Sequence, residues 1–123
     1  MKTYTIQGKP ISINGARAAV KVKGKLRLIT SAKARRWKET AVWELKSQRG
    51  VIPTMQGPCD AWIVLWMPTR AGDVDNYVKL VLDAVQSAGI IDNDKNIAKL
   101  TVSKAVDKAN PRVEVSIATR TAA

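Results

Sequence analysis

The sequence predicts an α+β fold, a single small domain over residues 1–123 with a mixed or antiparallel sheet and two main helices. Three observations carry this reading. Apolar and polar residues alternate in short runs near both ends of the chain, two longer segments place apolar residues at helical spacing, and these segments do not follow a strict β-α-β repeat. A chain of 123 residues with 46 % apolar composition and four Trp holds one modest core.

Taken in order, residues 3–7 and 11–14 alternate around Gly8-Lys9-Pro10, which predicts a strand, a turn and a second extended piece. Residues 19–29 alternate on both sides of Lys23-Gly24, the pattern of a hairpin with basic outward positions. Ser31 is placed to cap a helix over 31–49, where Ala34, Trp37, Ala41 and Leu45 form one apolar stripe. Residues 59–67, rich in Ile, Val, Leu and Trp between Pro58 and Pro68, read as a well-buried strand. Trp37, Trp62 and Trp66 are expected in the core, and Cys59 as a small buried residue. A polar loop leads into a second helix from about 75 to 88, stopped by Gly89 in the left-handed conformation. After an acidic loop at 92–96, residues 97–106 and 112–119 read as a closing antiparallel pair.

The formal charge is +11, from 21 Lys plus Arg against 10 Asp plus Glu, so a polyanion is the expected partner: nucleic acid first, an anionic membrane surface second. There is no His and one Cys, which excludes His general bases, Cys/His zinc clusters and Ser-His-Asp or Cys-His nucleophile systems. Carboxylates must carry any catalysis. A lone Cys fits a reducing compartment, and the cytoplasm is expected. The N-terminus has no apolar signal-like run, and the longest apolar run, 61–68, falls far short of the roughly 20 residues of a bilayer span.

Five of the ten acids, Asp73, Asp75, Asp83, Asp92 and Asp94, fall within residues 73–94. Asp73 and Asp75 meet at a helix N-terminus, where free backbone N–H groups favour negative charge. A third carboxylate, from the loop after the helix, joins them only if the chain folds back. Asp75, Lys79, Asp83 and Gln86 share one helix face, with Val78, Val81, Leu82 and Val85 on another. Gathered carboxylates call for a hard divalent cation such as Mg²⁺ or Mn²⁺, which beside a phosphodiester generates hydroxide and polarises the phosphoryl oxygen. Plain alternatives stand beside this: Asp73 or Asp75 as N-cap, and Asp75 with Lys79 as an ordinary i,i+4 pair. An EF-hand is a poor alternative, since counting from Asp73 puts Val78 and Ala84, and from Asp92 Ile97 and Ser103, where Gly and Glu are needed.

The run Gly72-Asp73-Val74-Asp75-Asn76-Tyr77-Val78-Lys79, continuing through Leu82-Asp83-Ala84-Val85 to Gly89-Ile90-Ile91 and Asp94, resembles the RusA family of Holliday-junction resolvases, as does Pro10-Ile11-Ser12-Ile13-Asn14. The resemblance implies a RusA-like fold and a homodimeric, Mg²⁺-dependent endonuclease that cuts four-way DNA junctions in recombination and repair, often carried by phages and prophages. It implies Asp73, Asp75 and Asp94 as metal-binding residues and Lys79 as the catalytic lysine. The family often has two adjacent acids where this chain has Asn93-Asp94. A dimer is also expected physically, because paired symmetric nicks need two sites.

Residues 1–49 hold 13 Lys or Arg against Glu39 and Glu44. Lys21, Lys23, Lys25 and Arg27, on one face of a regular hairpin, with Arg35 and Arg36 on the helix and Arg70 ahead of Asp73, are the expected DNA contacts. Trp43, opposite the apolar stripe and flanked by Arg35 and Lys46, fits base stacking, a dimer interface or burial against another element. Two other functions compete: a non-catalytic basic nucleic-acid-binding protein, and a nuclease of broader branched-DNA specificity.

Overall fold

The computed structural model describes residues 2–12 and 17–120, with positions 17–22 and 26–30 as backbone. The elements run β1 (Lys2–Gln7), β2 (Arg17–Val22), β3 (Lys25–Thr30), α1 (Ala32–Arg49), β4 (Cys59–Met67), α2 (Asp75–Ser87), a 3-10 turn (Asp94–Asn96), β5 (Ile97–Val106) and β6 (Arg112–Thr119). β1, β6, β4 and β5 form a mixed four-stranded sheet in that order, and β2 and β3 a separate hairpin. This is the α+β class with two main helices.

Alternation along β4 decides which way the sheet faces. Cys59, Ala61, Ile63, Leu65 and Met67 are buried, while the residues between them are half-buried. The buried set packs with Val113, Val115 and Ile117 of β6, Tyr4 and Ile6 of β1, Ala41 and Leu45 of α1, and Tyr77, Val81, Ala84 and Val85 of α2. Both helices therefore contribute to one core on one face. Trp62 and Trp66 belong to the opposite face, not to the core as expected from their apolar character: a residue beside a buried neighbour in a strand must point the other way. There the Trp66 ring stacks on the Arg112 guanidinium, 4.6 Å from the ring centroid, and its Nε1 donates to Glu114. Trp37 does pack against the core, half-buried.

The expected antiparallel pairing of 97–106 with 112–119 does not form. β4 lies between them, parallel to β5 and antiparallel to β6. The reason is the connection: α2 returns the chain to the start of the sheet, so β5 leaves in the same direction as β4. The extended piece at 11–14 is also absent where described: Ile11 and Ser12 are outside any strand, and Ile13 and Asn14 lie outside the described residues. The 23–24 turn is as expected, with φ positive at Lys23 (50°) and Gly24 (78°), the primed geometry that suits strand twist.

Helix ends follow their local chemistry. Ser31 Oγ accepts the Ala34 N–H at 3.1 Å and caps α1. α2 ends in a Schellman arrangement: Gly89, at φ 77°, donates to Gln86 O, and Ile90 donates to Val85 O. Arg49 of α1 donates to Ala88 O at 3.1 Å and ties the two helix ends together. α1 also seals a sheet edge. Gln48 Oε1 accepts the Thr5 N–H and Gln48 Nε2 donates to Thr5 O, each at 2.7 Å, and Glu44 Oε2 accepts the Gln7 N–H at 2.9 Å. Three of the backbone groups that β1 turns away from β6, the Thr5 N–H and C=O and the Gln7 N–H, thus find partners on the helix.

Candidate active site

Asp73 sits in the exposed loop between β4 and α2, and Asp75 is the first residue of α2. Val74 occupies the N-cap position with no side-chain cap bond, so neither aspartate serves as the cap. Among the described residues both carboxylates are without a hydrogen-bond or ion-pair partner. They stand where the unpaired N–H groups of the helix favour negative charge.

Lys79 lies one turn further along. Its Nζ is 3.2 Å from Asp83 Oδ1 and 3.9 Å from Asp94 Oδ2. Its i,i+4 partner is therefore Asp83 rather than Asp75. The Asp83 hydrogen bond and charge hold the Lys79 ammonium above its ordinary pKa against the opposing effect of burial, and the Asp94 charge adds a lesser increment. Lys79 is a fixed cation between two carboxylates at neutral pH.

The fold-back that Asp94 requires does occur. The left-handed turn at Gly89 redirects the chain, Ile90 and Ile91 are buried, and Ile91 bridges to Met55. Gln86 Oε1 then accepts the Asp94 N–H at 2.9 Å, and Asn93 caps the following turn by accepting the Lys95 N–H. α2 thus carries Asp75 and Lys79 on the flank toward which Asp94 returns. What the structure does not bring together is a closed metal cage: among the described residues no three His, Cys, Asp or Glu side chains are grouped to hold an ion.

Two positioning residues escaped the sequence reading. Lys104 of β5 donates to the carbonyls of Arg70 (2.7 Å) and Gly72 (2.6 Å), anchoring the loop that carries Asp73. Its signal was a cation in the register of Leu100, Val102 and Val106, opposite core residues of β4. Gln86 was visible on the polar face of α2, but its partner was not. Gly72 adopts φ 97°, and a Cβ there would collide with the Tyr77 hydroxyl, so the turn before Asp73 is packed directly on α2.

The basic residues of the hairpin are placed by its register. Lys21 pairs with Leu26, whereas Lys25 pairs with Val22 and Arg27 with Val20; Lys21 therefore falls in the alternate register from Lys25 and Arg27, and Lys23 is in the turn. Lys23 and Lys25 are exposed, as are Arg35 and Arg36 on α1 and Arg70 in the loop before Asp73. Among the described residues no helix is long and apolar enough to cross a membrane.

A profile of the family described as Endodeoxyribonuclease RusA matches residues 8–118. The chain is also 32 % identical over 83 residues to a crossover junction endodeoxyribonuclease RusA of Aquifex aeolicus (strain VF5). That match covers 66 % of this chain and 64 % of the relative, a little under two thirds of its length.

Proposed function

Because the chain belongs to the RusA family of endodeoxyribonucleases, we propose that it is a structure-selective DNA endonuclease that resolves four-way junctions by paired phosphodiester hydrolysis in recombination and repair. The observation that carries this reading is the return of Asp94 to the flank of α2 that bears Asp75 and Lys79, in a chain of net charge +11.

Asp73, Asp75 and Asp94 are the residues that would hold Mg²⁺, with Mn²⁺ as a substitute. Their donors are of the right kind, hard carboxylate oxygens, and two of the three carboxylates have no competing partner among the described residues. A metal ion there supplies a water of lowered pKa and polarisation of the phosphoryl oxygen. The chain's own groups do the rest. Lys79 keeps its proton and sets a positive charge beside the reacting phosphate, where charge develops. Asp83 orients that ammonium, Gln86 fixes Asp94, and Lys104 fixes the loop of Asp73.

We propose a homodimer as well. β5 is the unsealed edge of the sheet, and beside it Val74, Val78, Leu82, Leu100 and Val102 line an apolar hollow that includes Asp75 and Lys79. Antiparallel pairing of two β5 strands about a two-fold axis would extend the sheet across that edge.

The test is cleavage of a labelled four-way junction beside duplex of matched sequence, with Mg²⁺ or EDTA, by wild type and Asp75→Asn. Paired nicks on the junction, lost with EDTA and in the variant, are expected. The open carboxylate set favours a second reading, DNA binding without hydrolysis, and that reading predicts binding of both DNAs and cutting of neither under any divalent metal. Flaps and forks in the same assay measure how broad the specificity is.

A further inference from the structure

Helix geometry places an aromatic ring in solvent on α1. Trp43 is two residues from Ala41 and from Leu45, about 200° around the helix from each, and both of those are buried. Trp43 is accordingly 69 % exposed. It shares a shallow hollow with Arg35, Lys38, Glu39, Val42 and Lys46, residues spaced along one outward stripe of the helix. That stripe carries three cations and one carboxylate. The other acid of α1, Glu44, is turned to the β1 backbone, and Arg49 is turned to Ala88 and Ile52, so neither alters the balance.

We propose that this face of α1 is a stacking platform for unpaired DNA bases, with a base on the Trp43 ring and the flanking phosphates on Lys38 and Lys46. The choice of DNA rests on the nuclease reading; the choice of unpaired bases rests on the ring. A duplex offers phosphates and groove edges but keeps its base faces stacked, whereas a branch point or single strand exposes them. A large exposed aromatic in a cationic stripe matches such a ligand in shape and charge together. The stripe shares no residue with the flank of Asp75 and Lys79, so base capture and hydrolysis are separable by mutation.

The test uses the full chain in EDTA, where hydrolysis plays no part, with three probes: an oligo-dT single strand, a duplex and a four-way junction. Oligo-dT should quench the exposed tryptophan emission of the wild type and leave Trp43→Ala unchanged. Trp43→Ala should weaken oligo-dT and junction binding about tenfold, with duplex binding within about twofold, and Trp43→Phe should recover most of the loss. Lys38→Ala with Lys46→Ala should weaken all three probes and flatten the salt dependence by nearly two charges. The proposal is overturned if Trp43→Ala affects duplex and single strand alike, or neither, or if it lowers the sedimentation mass without changing DNA affinity, which would make the patch a protein interface. Failure of the nuclease reading would appear instead as absent cleavage with Mg²⁺, with these binding differences intact.

Discussion

The backbone N–H of Asp94 is held at 2.9 Å by the side-chain oxygen of Gln86, eight residues earlier and on a different element. The carboxylate that completes the candidate site is thus placed by a neutral side chain on α2. Gln86→Ala should leave junction binding in EDTA within about twofold and lower the cleavage rate by about 10- to 100-fold, the scale of a misplacement of order 1 Å. Single-turnover cleavage beside a binding titration checks this. Equal losses in both would mean that Gln86 acts on DNA binding or on folding instead.

Lys79 and Asp83 make a prediction in pH. The Asp83 hydrogen bond raises the Lys79 pKa, so the ion pair is fully present below the ordinary lysine value and is lost as pH rises through the raised one. Asp83→Asn removes that support. The alkaline limb of the cleavage–pH profile should move to lower pH in Asp83→Asn, and Lys79→Ala should abolish the limb together with most of the rate.

Gly72 and Lys104 hold the Asp73 loop from two sides. Gly72→Ala puts a Cβ at φ 97° and into the Tyr77 hydroxyl, and should cost about 1–3 kcal/mol in urea unfolding along with most of the cleavage. Lys104→Met keeps the stem and removes both loop bonds; it should cost about 1 kcal/mol or less but still slow cleavage, because the loop carrying Asp73 is released.

Asp107 lies in the β5–β6 connection, where Arg112 donates to it at 2.9 Å and the Asn110 N–H also donates. The Arg112 bond above all depresses its pKa below the ordinary 3.8. A depressed carboxylate contributes stability above that ordinary value and loses it as pH falls through the folded one. The thermal midpoint should therefore drop more on acidification below about pH 4 in the wild type than in Asp107→Asn, as differential scanning calorimetry over that range would record.

How much was legible from residues follows from the range of the interactions. The caps, the 23–24 turn, both helices and the apolar stripe of α1 depend on neighbours within a turn or two, and Ser31, Gly24 and Gly89 announce them. Pairing order in the sheet depends on where α2 deposits the chain, so the neighbours of β5 and β6 were misread. Trp62 and Trp66 show the same limit: apolar character says that a ring is worth covering, while strand alternation says which face it takes. In the site, Asp73, Asp75 and Lys79 are local to one helix start. The bond from Gln86 and the reach of Lys104 from β5 are not, since each needs the folded path between its partners.

The two edges of the sheet differ in a way that bears on how large an assembly can grow. Strand addition at β5 has open backbone groups to use, but the far edge is occupied by Gln48 and Glu44 of the same chain, whose side chains stand in for a neighbouring strand. Among the described residues the four-stranded sheet is therefore receptive at one edge: two such sheets that meet through β5 leave only β1 edges outward, where the helix side chains stand in the way of a further strand. On this view two side chains of one helix, Gln48 and Glu44, stand where the next strand of a filament would pair.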